Sequence, residues 1–239
     1  MTEEAGEGDE DDRAWADVLT WARGLISPDP AERAAALERH AVARREAEAA
    51  FERLHEGRCP SLLFDARMRA YRAAGARCFP GALWGRRDYA RGEISAWPRL
   101  PLALLFLEWE ARCPQEWTEH AKHWGTKQVL IRELAATRHD QALRGQLVDL
   151  VELAVRRTYR CKDREYVRVA RAVDGDELRD RLRAAQRSES AAAQLHASYV
   201  LWLLDRPEVP NTRHVWRTWL ADMSAPGQRR TPRPKTEGF

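Results

Sequence analysis

The densest chemistry in the chain lies between Val155 and Arg171, which reads VRRTYRCKDREYVRVAR. Seven bases (Arg156, Arg157, Arg160, Lys162, Arg164, Arg168 and Arg171) stand against Asp163 and Glu165, a net charge of +5. A guanidinium carries a planar fork of donors that matches phosphate and carboxylate oxygens. A row of them can clamp an acidic partner, with an affinity that falls steeply as salt rises. Helical spacing puts Arg164, Arg168 and Arg171 at i, i+4 and i+7, on one face. It turns Tyr166, Val169, Ala170 and Val173 toward the core. These seven bases are the candidate site for nucleic acid or an acidic protein. The plainer alternative is a solvated face in an arginine-biased chain, since lysine occurs only at 122, 127, 162 and 235. Abundant arginine and alanine point to a GC-rich genome, which weakens any argument from arginine count alone.

A second constellation combines aromatics with bases. Tryptophan occurs ten times. Trp202, Trp216 and Trp219 fall at core spacing, but Trp84 and Trp97 lie in a Gly/Pro-rich stretch with Arg77, Arg86, Arg87, Arg91 and Arg99. Aromatics among arginines on a loop can stack on bases or anchor a protein partner. Trp84, Arg86, Arg87, Arg91 and Trp97 are therefore candidate loop contacts. The competing reading is a loop tucked against the body by its own tryptophans.

A third group is Glu108-Trp109-Glu110 followed by Cys113, Trp117, Glu119, His120, His123 and Trp124. His120 and His123 would share one side of a helix, and Cys113 and Glu119 could join them around a metal. The spacing is not that of a complete zinc set, so surface histidines are expected and no metal or cofactor is assigned. No phosphate-binding loop, GxSxG elbow, HExxH or kinase motif is present. That absence points to binding rather than catalysis, although a site assembled from distant helices would leave no such mark.

Composition sets the frame for these residues. The chain has 239 residues, 44% apolar and 32% charged, the balance of a folded soluble protein with a substantial core. Its four cysteines (Cys59, Cys78, Cys113, Cys161) are widely separated, which indicates neither a disulfide framework nor a zinc ribbon. The N-terminus is acidic rather than basic, unlike a signal peptide. The most apolar run, Leu100 to Leu107, is far short of the roughly 20 residues a membrane span requires. The expected location is intracellular, the cytoplasm for a bacterial source, with no membrane partner. Net charge is +3 but unevenly placed: residues 1–12 hold seven acids and no base. Residues 224–239 hold Arg229, Arg230, Arg233 and Lys235 against Glu237. Both ends read as disordered tails, one acidic and one basic and Pro-rich, flanking a single all-α domain over 13–223.

The elements that would position the site are helical throughout, roughly nine to eleven in number. One runs from about Arg13 to Ile26 and stops at Ser27-Pro28-Asp29-Pro30. Asp29 then caps a second helix with Pro30 at its first position, continuing toward His55. A third starts at Pro60-Ser61 and ends near Gly75. A long loop covers about 77–100, and long ordered loops are often functional. Helix resumes at Pro101 with a segment apolar on nearly every side from Leu102 to Trp109, expected to be central. Leu143, Leu147, Leu150, Val151 and Ala154 mark an amphipathic helix. Asp174-Gly175-Asp176 separates two more, Ala191–Leu204 is apolar on two faces, and a last helix starts near Asn211 or Thr212. No alternating strand pattern of useful length occurs.

The stretch Ser27-Pro-Asp-Pro-Ala-Glu-Arg-Ala-Ala-Ala-Leu37 resembles the inter-helix turn and following helix of HEAT-like α-solenoids, and Asp174 through Trp219 resembles a further repeat more loosely. The resemblance implies stacked helical hairpins in which small alanines allow close approach and leucines fill the seam. No fixed period can be read off, so an irregular helical bundle stands beside it. Three functions follow. The first is a non-enzymatic interaction or scaffold protein with a basic face for nucleic acid or an acidic protein. The second, implied by the resemblance, is a HEAT-like DNA glycosylase with Trp109, Glu108, Glu110 and Trp219 with Asp222 as candidates. The third is a protein–protein adaptor regulated by its acidic N-terminal tail.

Overall fold

The computed structural model describes residues 14–56, 61–83 and 93–224. The acidic segment 1–12, the basic segment from 225 onward, and the candidates Trp84, Arg86, Arg87 and Arg91 lie outside the described residues. Among the described residues there are eleven α-helices and no strand. They are α1 (residues 14–22), α2 (Pro30–His55), α3 (Ser61–Arg77), α4 (Leu100–Arg112), α5 (Pro114–His120), α6 (Trp124–Ala136), α7 (Gln141–Arg156), α8 (Tyr166–Ala172), α9 (Asp176–Gln186), α10 (Ala191–Leu204) and α11 (Arg213–Ser224). No helix among the described residues is long and apolar enough to cross a membrane.

Local sequence starts several of these helices. The Asp29 side chain accepts the Ala31 N–H at 2.9 Å, with Pro30 opening α2 where no intrahelical donor is needed. Asp140 does the same for α7, accepting the Leu143 N–H at 2.7 Å, and the Ser190 hydroxyl accepts the Ala193 N–H for α10. Gly24, in the 3₁₀ turn after α1, lets that turn lie directly on α2. An added Cβ there would come within 2.9 Å of the Ala36 Cβ.

Packing is organised around α4 and α7. Leu102 through Leu107 are all buried, as a segment apolar on every side must be to leave water. The α7 stripe of Leu143, Leu147, Leu150, Val151 and Ala154 is buried as well. α7 packs against α4, α8, α9 and α10, while α2 pairs with α3, α9 with α10, and α6 with α8. The last helix buries Trp219 but leaves Met223 exposed, so its apolar row meets the body only in part.

The described ends of the 77–100 stretch belong to the core. Phe79 and Ile94 are fully buried and Trp97 is 3% exposed. Trp97 therefore fills the body instead of presenting an aromatic to a partner. The nearby Arg99 guanidinium sits 3.4 Å above the Trp15 ring, which fixes α1 to the start of α4.

Candidate functional site

The basic run divides into three parts with different roles. α7 ends at Arg156 and α8 begins only at Tyr166; between them lies a connector ending in a 3₁₀ turn over Asp163–Glu165, entered through Lys162 at φ 70. That break upsets the expected single face. Arg164 sits on the turn while Arg168 and Arg171 sit on α8, so the i, i+4, i+7 spacing does not correspond to one continuous helix.

Two of the seven bases turn inward. Glu110 on α4 has no solvent exposure, and its carboxylate receives Arg157 Nη2 at 2.7 Å and Lys127 Nζ at 3.0 Å. Its other oxygen faces Arg160 Nε at 3.3 Å as an ion pair. Asp163 completes the network, accepting from Lys127 Nζ at 2.6 Å, from the Arg157 guanidinium at 2.8 and 3.0 Å, and from the Arg160 backbone N–H at 2.6 Å. Three cations thus share two carboxylates. Burial disfavours the Arg157 charge, but Asp163 and Glu110 outweigh it and hold its pKa above the usual arginine value. Arg160 also lies over the Trp124 ring at 5.4 Å. Arg157 and Arg160 anchor the connector to α4, α5 and α6.

Three more bases are engaged at the surface or at helix ends. Arg156 pairs with Glu152 one turn back. Arg168 pairs with Glu165, which also receives two hydrogen bonds from Arg132 and one from Gln128. Burial works against ionisation of Glu165, yet these donors prevail and hold its carboxyl at about 2. Arg171 donates to the Val209 carbonyl at 2.6 Å and to the Leu203 and Arg206 carbonyls at 3.3 Å. It caps the end of α10 and fixes the turn leading into α11.

Lys162 and Arg164 remain, and they line a pocket of about 620 Å³ together with Arg213 at the start of α11. Neither these two nor Arg213 forms an ion pair with any described residue. The pocket lies between α7, the connector, α10 and α11. Its floor is aliphatic (Val151, Val155, Val200), and its side wall is a chain of rings. Tyr159 and His196 have centroids 6.1 Å apart, His196 and Trp216 6.3 Å, and Trp216 and Tyr199 4.6 Å. Behind Trp216, Trp219 is stacked at 5.4 Å. Asn211 joins the two sides of the mouth. Its side-chain oxygen accepts from the Tyr199 hydroxyl at 3.0 Å, and its amide donates to the Arg164 carbonyl at 2.7 Å. Burial raises the pKa of Tyr159 and of Tyr199, so both rings remain neutral phenols well past neutral pH.

The sequence marked two of the three pocket cations that lack an ion pair among the described residues and missed the third. Arg213 follows the expected start of the last helix but carries no motif. Tyr159, embedded among Arg156, Arg157 and Arg160, carries the same aromatic-among-arginines signature as the 77–100 stretch. Trp216 reads as core from its spacing and is in fact half-buried, with one edge in the pocket wall. Nothing in the sequence distinguishes Asn211.

The residues suggested for base excision are distributed differently. Glu108 pairs with Arg112 on the surface of α4, and Trp109 is fully buried against His40 and Phe79. Glu110 is neutralised in the network above. Trp219 belongs to the Tyr199–Trp216 cluster, and Asp222 is exposed on α11. The two acids that line the 620 Å³ pocket, Asp163 and Glu165, are both engaged by cations, Asp163 by Lys127 and Arg157 and Glu165 by Arg132 and Arg168. His120 packs edge-on against the buried His40 at 5.9 Å, and among the described residues no group of three or more His, Cys, Asp or Glu side chains could hold a metal ion. Comparison with protein-family models, with curated proteins and with solved structures finds no match to this chain.

Proposed function

We propose that this protein is a non-enzymatic helical binding protein whose interface is the mouth of the pocket between α7, α10 and α11, and that its ligand is nucleic acid. One observation carries the reading. Lys162, Arg164 and Arg213 ring an aromatic-walled pocket, and none of them has a carboxylate partner among the described residues. Cations left free at the rim of an apolar cavity attract an anion that also brings a flat or apolar group. Phosphates joined to bases supply both. The charge continues in the sequence, because Arg217 lies on the exposed side of α11 and Arg229, Arg230, Arg233 and Lys235 follow it.

The body that presents this mouth is taken as an irregular helical bundle, not a regular solenoid. The support is α7, which touches α4, α8, α9 and α10, whereas a solenoid repeat touches mainly its sequence neighbours. The deciding experiment is a binding titration with labelled oligonucleotides at low and high salt. Binding that weakens with salt in the wild type, and is at least tenfold weaker in the Arg164→Ala/Arg213→Ala double variant, is expected. Absence of salt-sensitive binding, or a double variant that binds as well as wild type, rejects the reading. Tight binding of polyglutamate in place of oligonucleotides would assign the mouth to an acidic protein.

A further inference from the structure

We propose that the pocket admits an unpaired base, so that the ligand is single-stranded nucleic acid and not a duplex. The inference rests on the nucleic-acid reading above and deepens it. A duplex presents phosphates on its outside and keeps its bases stacked inside, so it can meet the cations at the rim but cannot fill the cavity behind them. The cavity is large, about 620 Å³, and its lining is the wrong chemistry for phosphate: the aliphatic Val151, Val155 and Val200, the rings of Tyr159, His196 and Trp216, and the carboxylates of Asp163 and Glu165. A phosphate placed there would lose its hydration against carbon. A base has an apolar face that stacks on such rings and polar edges that need only a few partners.

Polar partners are available where a base edge would lie. The His196 imidazole, which has its Nδ1 3.3 Å from the Val155 carbonyl, and the Tyr159 hydroxyl both border the cavity. Tyr159 is 49% exposed, a large aromatic left open to solvent at the mouth. Charge and stacking surface are arranged in sequence: Lys162, Arg164 and Arg213 at the rim hold successive phosphates, and the ring wall receives a base turned inward. The volume falls within the roughly 300–1,000 Å³ of sites that enclose small ligands, which suits one or two nucleotides and not a longer run.

The test compares three ligands with the same number of phosphates on the full chain: a single-stranded oligonucleotide, the same backbone with abasic positions, and a blunt duplex of half the length. The wild type should bind the single strand at least tenfold more tightly than either of the others. Tyr159→Ala should lose most of that preference while its affinity for the abasic strand stays the same, and Tyr159→Phe, which keeps the ring and loses only the hydroxyl, should keep the larger part of it. Tyr159 is half-exposed, so its replacement leaves the body folded, and an unchanged melting temperature verifies this. Equal affinity for all three ligands, or a Tyr159→Ala variant that retains the preference, overturns base insertion while leaving the nucleic-acid reading intact. If none of the three ligands binds in a salt-sensitive way, both proposals fall together.

Discussion

Glu110 and Lys127 form a 3.0 Å ion pair in which neither side chain has any solvent exposure. They lie on α4 and α6, and both contact the connector that carries Lys162 and Arg164. Charges removed from water are tolerated only when paired and hydrogen-bonded. The connector satisfies that requirement with Arg157 and Asp163. The buried network therefore sets the position of the rim, although none of its members reaches the pocket mouth except Asp163.

Glu110→Gln should destabilise the protein by about 3–5 kcal/mol, because it leaves Lys127 and Arg157 buried with one carboxylate fewer. Urea unfolding measures the loss. Glu110→Leu combined with Lys127→Met should cost less than the sum of the two single changes, since each single change strands the other's charge. Additive costs would mean that the two groups do not depend on each other.

Arg171 and Arg168 stand three residues apart and should behave oppositely. Arg171→Ala removes the donor shared by three carbonyls at the end of α10, and a loss of about 1–3 kcal/mol is expected. Arg168 has a 62% exposed side chain and one carboxylate partner, so Arg168→Ala should cost less than about 1 kcal/mol. Thermal melts of the two variants decide it. An Arg171→Ala protein with wild-type stability and lost ligand binding would return Arg171 to the interface.

Two groups give the protein separate acid sensitivities. His40 is buried among Trp21, Trp109 and His120, and burial followed by the His120 charge holds its pKa down to about 4. The unfolded chain takes up that proton near the ordinary histidine value of about 6.5. Stability should therefore fall as pH drops from there toward 4. His40→Phe should flatten the slope in that window.

Glu165 acts lower on the scale. Its carboxyl is held at about 2 in the folded chain, chiefly by Arg132 acting against burial, so its contribution is present above the unfolded carboxylate value and is lost as pH falls from about 4.5 toward 2. Glu165→Gln should remove this lower phase and leave the His40 phase in place. Denaturant midpoints measured across pH distinguish the two groups.

Much of the scaffold was legible because its signals are local. Asp29 with Pro30 marked the start of α2, the all-round apolar Leu102–Leu107 marked a central helix, and the i, i+4, i+7 leucines marked α7. The site was only half legible. Arg157 meets Glu110 across 47 residues of sequence and Arg160 meets the same carboxylate, pairings that no spacing rule predicts. The seven bases look alike in sequence, yet tertiary neighbours sort them into inward-turned anchors, surface pairs, a carbonyl cap and two cations with no ion pair among the described residues. Trp97 was ambiguous for the same reason: a tryptophan beside arginines in a Gly/Pro-rich stretch can face either way, and the core claims it, as the tucked-loop reading expected.

The acidic segment 1–12 bears on the same interface through charge alone. Its seven acids could compete with a polyanion for the cationic rim, and deletion of residues 1–12 should then raise oligonucleotide affinity at low salt. Unchanged affinity would show that the segment does not mask the mouth.

The salt dependence of single-strand binding tests the central claim most directly. Each phosphate contact contributes about 0.7 to the slope of log affinity against log salt, so Lys162→Ala/Arg164→Ala/Arg213→Ala should reduce that slope by about 2. A triple variant with the wild-type slope and affinity would mean that these three cations hold no phosphate, which contradicts the account.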